Sequence, residues 1–293
     1  MFIATLIASE SLTAGDISSA ADRLANAGCA PGEACWIDAD EAADLPFSTD
    51  PAAARLALED VFPGVDVIVQ PAQNREKKLL IADMDSTMIT VECIDELADY
   101  AGIKAQIAEV TERAMRGELD FADALDARVA LLRGLEESAI DRCLAERVRL
   151  SPGAETLVKT MRARGATAVL VSGGFTRFAG PVGDRLGFNR VIANTLLVAG
   201  GKLTGEVTKP IVDSSTKETT LRETAAQLGL DFAQTLAVGD GANDLAMIKR
   251  AGLGVAYRAK PIVAAAAGAR IDHTPLTALL TAQGIARKDW VAA

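Results

Sequence analysis

The sequence of 293 residues contains a single histidine, His273. It lies far along the chain from every acidic cluster, so a Ser-His-Asp triad, a multi-histidine metal site and a histidine phosphatase all lack the imidazoles that they need. This shortage leaves carboxylates, hydroxyls and lysine as the groups available for catalysis. We expect His273 itself to be a structural residue near the end of a strand.

Cysteine is also scarce, with four residues and neither a Cys-x-x-Cys pair nor the spacing of a zinc site. A disulfide framework and a structural zinc centre are therefore excluded as explanations of the fold. Ordinary buried thiols in a reducing cytoplasm are the expected state of all four. They are Cys29, Cys35, Cys93 and Cys143.

Long apolar runs and excess positive charge are missing as well. No stretch of about 20 apolar residues is present, and the apolar start, Met1–Ala8, has no basic leader. We therefore expect a cytoplasmic protein with no membrane partner. The net charge of −10 argues against nucleic acid as a partner. An anionic substrate then has to be held by local positive charge or by a metal ion.

The most informative segment is Leu79–Thr87, where a short apolar run ends in two aspartates, Asp83 and Asp85. The run is typical of a buried parallel strand. In open α/β sheets the ligand crevice lies at the carboxyl ends of the strands. At strand spacing the two carboxylates point to the same side. Mg²⁺ is the natural partner of such a pair because it prefers oxygen ligands.

Two further strand ends carry polar groups. Thr235–Val238 runs into Gly239-Asp240-Gly241-Ala242-Asn243-Asp244, and Ala168–Val171 runs into Ser172-Gly173-Gly174. A hydroxyl with bare backbone N–H groups at the start of a helix forms an anion cradle. Near the start of a later helix, Lys217 can act as a point charge for a phosphate.

These four motifs, in their order along the chain, resemble those of the haloacid dehalogenase superfamily of phosphatases and, more narrowly, the phosphoserine phosphatases. The resemblance extends from about Lys77 to the C-terminus. It implies an α/β fold, with a doubly wound parallel-sheet core and a helical cap inserted after the first strand. It also implies Mg²⁺-dependent hydrolysis of phosphoserine through an aspartyl-phosphate, the last step of serine biosynthesis.

The resemblance assigns roles to the core residues. Asp83 would be the nucleophile and a metal ligand. Asp85 would be the general acid and base, and its backbone carbonyl a metal ligand. Asp240 would be the third metal ligand, and Asp244 would hold a water on the metal. The remaining residues would bind the phosphate, and these are Ser172, Gly173, Lys217 and Asn243.

The cap would select the substrate. By resemblance, Glu92 binds the ammonium group of phosphoserine, and the guanidinium fork of Arg128 binds its carboxylate. Met115 and Phe121 would form walls of the pocket. Ordinary structural explanations exist beside these, because Glu92 also suits a helix start and the two apolar side chains also suit a core.

The expected domains are residues 1–76 and 77–293, with the cap at about 91–150. The first unit reads as strand, helix, strand, helix, strand, and it loosely resembles the small α+β (ACT-like) domains that bind amino acids. We expect strands at 2–8, 34–37 and 65–69, and a polar linker at 73–78. The sequence leaves the oligomeric state open, with a homodimer as one alternative.

Two alternatives to a phosphoserine phosphatase remain at this stage. One is a phosphatase or phosphotransferase for another small phosphorylated acid. The other is a regulatory protein that senses serine through its N-terminal unit. The intact set of Asp83, Asp85, Lys217 and Asp240 argues against the second alternative, since a binding module needs no nucleophile.

Overall fold

The computed structural model describes residues 1–116 and 118–292, without the side chain of Met115. Its strands are β1 (Phe2–Ala8), β2 (Cys35–Asp38), β3 (Ala42–Phe47), β4 (Val65–Pro71), β5 (Leu79–Ala82), β6 (Thr167–Phe175), β7 (Arg190–Asn194), β8 (Leu196–Ala199), β9 (Lys202–Val207), β10 (Thr235–Gly239), β11 (Leu253–Tyr257) and β12 (Ala269–Ile271). Its helices are α1 (Ala14–Asn26), α2 (Pro51–Leu58), α3 (Cys93–Ala101), α4 (Lys104–Met115), α5 (Phe121–Leu131), α6 (Ser138–Glu146), α7 (Ala154–Ala163), α8 (Thr176–Leu186), α9 (Ser214–Gln227), α10 (Leu245–Arg250), α11 (Pro261–Ala266) and α12 (Ala278–Ala282).

The larger sheet has six parallel strands in the order β12-β11-β10-β5-β6-β7. Its central strand β5 is buried on both faces. Leu80 and Ala82 pack into one apolar cluster with residues of α7 and α8. Leu79 and Ile81 pack into a second cluster with residues of α9 and α10. Helices therefore cover both faces of the sheet, which confirms the predicted doubly wound core.

A set of four helices, α3 to α6, forms the cap within the segment expected at about 91–150. The antiparallel hairpin β8–β9 supports it, because β9 packs against α5 and the backbone N–H of Gly134 bonds to the carbonyl of Leu203. The sequence pattern predicts this hairpin over 191–207 with its turn at 199–202, and the turn falls at Gly200 and Gly201. The predicted start of the hairpin is wrong, because Val191 belongs to β7 of the main sheet.

The N-terminal sheet has four antiparallel strands in the order β2-β3-β1-β4. The sequence pattern predicted three and missed β3. Asp44 is 7% exposed within this strand, and Pro46 interrupts it. A buried acid and a proline both hide the apolar alternation that marks a strand. The small α+β unit is present, with α1 and α2 packed against one face of its sheet.

The second face of this sheet lies against the larger domain. Ile7, Ala42 and Ile68 belong to the same apolar cluster as the central strand β5. Asp66 in β4 accepts hydrogen bonds from the backbone N–H groups of residues 272–274 and from the hydroxyl of Thr274. The segment predicted as a polar linker is packed as well, since Lys77 is only 3% exposed. It is therefore not a flexible linker.

The structure also shows where the four cysteines and the single histidine lie. Cys29, Cys93 and Cys143 are buried as expected, whereas Cys35 is exposed because the edge strand β2 leaves it uncovered. His273 follows β12, and its backbone N–H donates to Asp66. Among the described residues, no helix combines the length and the apolar character needed to cross a bilayer.

Candidate active site

A cavity of about 430 Å³ lies between the carboxyl ends of the central strands and the cap. The core contributes side chains that follow β5 and β10, together with the backbone at the end of β6. The cap contributes residues from α4 and α5 and from the segments beside them. Eight of the predicted site residues line it, and they are Asp83, Asp85, Glu92, Phe121, Arg128, Gly173, Asp240 and Asn243.

Three carboxylates converge beneath this cavity. Oxygens of Asp83, Asp240 and Asp244 lie within 4.8 Å of one another, and all three residues are buried. The parallel pairing of β5 with β10 explains the meeting, because the two acidic motifs end at the same edge of the sheet. Thr87 donates a hydrogen bond of 3.1 Å to Asp240. Burial, together with the charges of Asp83 and Glu92, raises the pKa of Asp240 to about 6.

Lys217 supplies the positive charge behind the cluster. Its Nζ lies 2.7 Å from Asp83 and 2.6 Å from Asp244, and its side chain is fully buried. The capping box of Asp213 and Thr216 starts α9 in the position that directs Lys217 inward. Burial by itself lowers the pKa of Lys217, but the two carboxylates outweigh it and raise the pKa above its usual value. The lysine therefore stays charged.

Asp85 stands apart from the three clustered carboxylates. Its Oδ1 accepts the backbone N–H of Cys93 at 3.1 Å. Burial raises the pKa of Asp85 to about 7, and the charges of Glu92 and Asp83 add to the shift. A Cβ at Gly174 would lie 2.6 Å from Oδ2 of Asp85, so only glycine allows this approach. A carboxyl with this pKa can both give and take a proton near neutral pH.

The Ser172-Gly173-Gly174 segment differs from the helix start that the sequence predicted. Strand β6 continues to Phe175, with an irregular register after Val171, and α8 begins only at Thr176. Ser172 is fully buried, and its Oγ accepts the N–H of Gly174 at 2.8 Å. Accepting this bond leaves the hydroxyl proton of Ser172 free to donate. Gly173 reaches the cavity itself.

The cap closes the cavity from the opposite side. A Cβ at Gly173 would lie 3.2 Å from Cζ of Phe121, so this ring rests on the end of β6. Glu92 accepts a bond of 2.7 Å from the hydroxyl of Ser86. Arg128 is half-buried, and its Nε donates to the carbonyl of Ala124. Burial lowers the pKa of Arg128 somewhat.

Three predicted residues do not line the cavity. Ser172, Lys217 and Asp244 lie behind its wall, within reach of the residues that do. Met115 ends α4, and its side chain lies outside the described part of the structure.

Sequence reasoning missed two residues of the site. Thr87 stood within the first motif without a role, and the signal that the sequence offers is a hydroxyl two residues after Asp85. Lys260 lines the cavity beside Asp240 and was passed over entirely. Its signal is weak, because a lysine before a proline at the start of a helix is common on protein surfaces.

The acidic cluster fits a hard divalent cation. Three buried carboxylates face one buried lysine, so negative charge remains in excess at the floor of the cavity. All the donors are oxygens, the ligand type that Mg²⁺ and Ca²⁺ prefer. Among the described residues, no histidine or cysteine joins the group.

Comparison with known proteins gives a consistent result. Residues 80–249 match the family model described as haloacid dehalogenase-like hydrolase. A curated Streptomyces coelicolor protein named phosphoserine phosphatase is 46% identical over 247 residues, which are 84% of this chain. The chain spans 60% of the length of that relative.

Two solved structures extend the comparison. A probable phosphoserine phosphatase from Vibrio cholerae matches with a TM-score of 0.77 and 32% identity, over 98% of this chain and 87% of the other. A structure titled as a phospho-aspartyl intermediate analogue of phosphoserine phosphatase matches with a TM-score of 0.65 and 37% identity. This match covers 70% of the present chain and 98% of the matched chain. The first of these likenesses includes the N-terminal unit as well as the core.

Proposed function

This chain belongs to the haloacid dehalogenase-like hydrolase family, and from that premise we propose that it is a phosphoserine phosphatase. It would hydrolyse O-phospho-L-serine to L-serine and inorganic phosphate, the reaction that completes serine biosynthesis. The observation that carries the proposal is the buried pairing of Asp83 with Lys217 at the floor of a cavity whose roof contains Arg128. The floor suits a phosphate, and the roof suits a carboxylate.

Asp83 acts as the nucleophile. A carboxylate oxygen of Asp83 attacks phosphorus, and the bond from phosphorus to the serine oxygen breaks. Asp85, whose pKa is raised to about 7, gives its proton to that leaving oxygen. A water molecule then attacks the phosphoryl group on Asp83, and Asp85 takes the proton from this water. Inorganic phosphate leaves, and both carboxyl groups return to their starting states.

The phosphate is held by groups of the core. Lys217 keeps its charge between Asp83 and Asp244, which orients the nucleophile and offsets negative charge beside it. The hydroxyl of Ser172 and the N–H of Gly173 supply hydrogen bonds to phosphate oxygens. Asn243 contributes its amide from the opposite side of the cavity. All four groups lie on elements of the rigid sheet domain.

The metal ion is proposed to be Mg²⁺. Asp83 and Asp240 would hold it through their side chains, and Asp85 through its backbone carbonyl. Asp244 would orient these ligands from behind through its bond to Lys217. When bound, the ion offsets the charge of the carboxylates and stabilises the charge that develops on the phosphoryl group.

The cap supplies selectivity for the amino-acid part of the substrate. Arg128 matches the carboxylate of serine with a planar fork of donors. Glu92 matches the ammonium group from the start of α3. Phe121 covers the apolar part of the cavity, and Met115 is proposed to do the same. Closure of this cap excludes water from the reacting phosphate.

Phosphate release from a panel of small phosphomonoesters tests the function. The panel contains phospho-L-serine, phosphothreonine, a phosphorylated hydroxy acid without an amine, and an aryl phosphate. Each is assayed with Mg²⁺ and with a chelator. We expect phospho-L-serine to give the highest kcat/KM and the chelator to abolish turnover. A preference for the acid without an amine would instead favour another small phosphorylated acid as the substrate.

Adding an alcohol to the same assay separates hydrolysis from phosphoryl transfer. A phosphatase yields one phosphate per serine whatever alcohol is present. A transferase yields a new phosphate ester at the expense of free phosphate. Serine binding without any phosphate release, in the presence of Mg²⁺, would point to the sensing protein and would overturn the proposal.

A further inference from the structure

Lys260 lies at the mouth of the cavity on the core side. It immediately precedes α11, and its backbone N–H bonds to the carbonyl of Asp240 at 3.3 Å. Its side chain is exposed, and the residue lines the cavity together with Asp240 and Asn243. None of the roles considered so far uses this ammonium group.

The charges around the cavity are strongly unequal. Its described lining contains five carboxylates, on Asp83, Asp85, Glu92, Asp120 and Asp240. Only two cations face them there, Arg128 on the cap and Lys260 on the core. An incoming phosphate dianion therefore meets more carboxyl groups than cations along the wall, and those that are ionised repel it.

Lys217 is not available at this entrance. It is fully buried and already pairs with Asp83 and Asp244. By contrast, Lys260 forms no ion pair with any described residue of the chain. It is thus the core-side cation whose charge an anion entering from solvent meets first.

We propose that Lys260 is a further substrate-recognition residue, which binds the phosphate group of the monoester as it enters and while it occupies the core side of the cavity. The inference rests on the proposed phosphatase function and adds a residue to it. A lysine suits this position because its ammonium is a compact charge on a flexible stem and can follow a phosphate whose orientation changes. Arg128, across the cavity, keeps its proposed role of binding the planar carboxylate of the substrate.

The backbone of Lys260 is held from both ends of α11. Pro261 fixes the first turn of the helix. At the other end, Nη1 of Arg55 donates to the carbonyls of Ala267 and Gly268 at 2.6 and 2.9 Å. The side chain can therefore move while its point of attachment stays beside Asp240.

The test compares Lys260→Gln, Lys260→Arg and the matched control Lys249→Gln. Lys249 is also an exposed lysine without an ion pair among the described residues, but it lies outside this cavity. For Lys260→Gln we expect KM for phospho-L-serine to rise about tenfold, with kcat changed less than about twofold, because a charge-assisted bond to bound substrate is lost. Lys260→Arg should restore most of the loss, and Lys249→Gln should match the wild type.

Product inhibition shows which group Lys260 binds. The inhibition constant of inorganic phosphate should rise by the same factor in Lys260→Gln, whereas that of L-serine should not change. The difference between the variant and the wild type should also shrink at high ionic strength. An unchanged constant for phosphate, or a fall in kcat at constant KM, would overturn the proposal.

Failure of the phosphatase function is a separate outcome. If the wild type releases no phosphate from phospho-L-serine, that function is wrong. The contribution of Lys260 is then read from the rise in melting temperature that inorganic phosphate causes. A smaller rise in Lys260→Gln than in Lys249→Gln supports the role of Lys260, and equal rises reject it.

Discussion

Lys217 and Asp244 form a salt bridge of 2.6 Å in which both side chains are completely buried. The two residues come from α9 and from the turn after β10, and the same ammonium also reaches Asp83. A buried charge is tolerated only when it is paired. The site is therefore one electrostatic unit, and the loss of any member changes the state of the others.

Replacing Lys217 should destabilise the metal-free protein. Lys217→Met leaves two buried carboxylates without a cation, so we expect the free energy of unfolding to fall by about 3 kcal/mol. Urea unfolding in the presence of a chelator measures it. The double variant Lys217→Met/Asp244→Asn should lose less than the sum of the two single variants, because one of the two unpaired charges is gone. Strict additivity would show that the two groups do not interact.

Removing the proposed nucleophile should abolish turnover and preserve the fold. Asp83→Asn keeps the volume of the side chain but cannot form the acyl-phosphate, so kcat should fall by about 10³-fold or more. Phosphate release gives the rate, and circular dichroism gives the fold. Beryllium fluoride, a mimic of the acyl-phosphate, should bind at Asp83 in the wild type. Its appearance on another residue would overturn the covalent mechanism.

Replacing the proposed proton donor should act on the chemical step. Asp85→Asn keeps the backbone carbonyl and loses the acidic proton of the carboxyl group, so kcat should fall by about 10²- to 10⁴-fold while KM changes little. Steady-state kinetics, with metal affinity measured by titration, separates the two effects. A collapse of metal affinity with an intact chemical step would assign proton transfer to another group.

Removing the guanidinium of the cap should change substrate preference. Arg128→Ala loses a partner for the substrate carboxylate and leaves the phosphate machinery of the core intact. We expect kcat/KM for phospho-L-serine to fall by about 10²-fold and kcat/KM for an aryl phosphate to change little. Both substrates are measured side by side, with Arg128→Lys as the control for charge alone. An equal loss on both would mean that Arg128 only supports the cap.

Lys77 should make the stability of the protein depend on alkaline pH. Its Nζ donates to the carbonyls of Asn74 and Ala233, and burial lowers the pKa of Lys77 to about 8. Between this value and the usual 10.5 the unfolded chain binds more protons than the folded one, so unfolding becomes harder as pH rises.

The matched measurement is urea unfolding of the wild type and of Lys77→Met at pH 7 and pH 9. The wild type should gain about 1 kcal/mol more than the variant over this interval. Lost hydrogen bonds in the variant change its stability equally at both pH values and leave the difference unaffected. A parallel dependence of the two proteins would show that Lys77 is solvated.

The parallel sheet was predictable because its strands are continuous apolar runs that end in polar motifs. Carboxyl ends of parallel strands share one edge, so the pattern placed Asp83 and Asp240 at the same edge of the sheet, and the family resemblance implied that both bind the metal. Strands β3 and β12 were missed for local reasons. The first contains Asp44 and Pro46, and the second is only three residues long.

Contacts between distant segments were the part that sequence could not supply. The position of Lys260 depends on the parallel pairing of β11 with β10, and no local pattern reports this pairing. The two partners of Lys217 likewise depend on how α9 packs under the sheet. The three backbone hydrogen bonds from residues 272–274 to Asp66 depend on the docking of the N-terminal sheet, which no local sequence pattern reports.

The docked face of the N-terminal sheet limits how this architecture can be taken apart. Without residues 1–76, Ile7 and Ile68 no longer cover the core, and the N–H groups that Asp66 accepts lose their partner. A chain without residues 1–76 would expose an apolar patch on the larger domain, and we expect it to aggregate unless that surface is redesigned. A chain trimmed in this way needs different residues at this interface, and moving the sheet to another core requires transplanting both sides of the interface together.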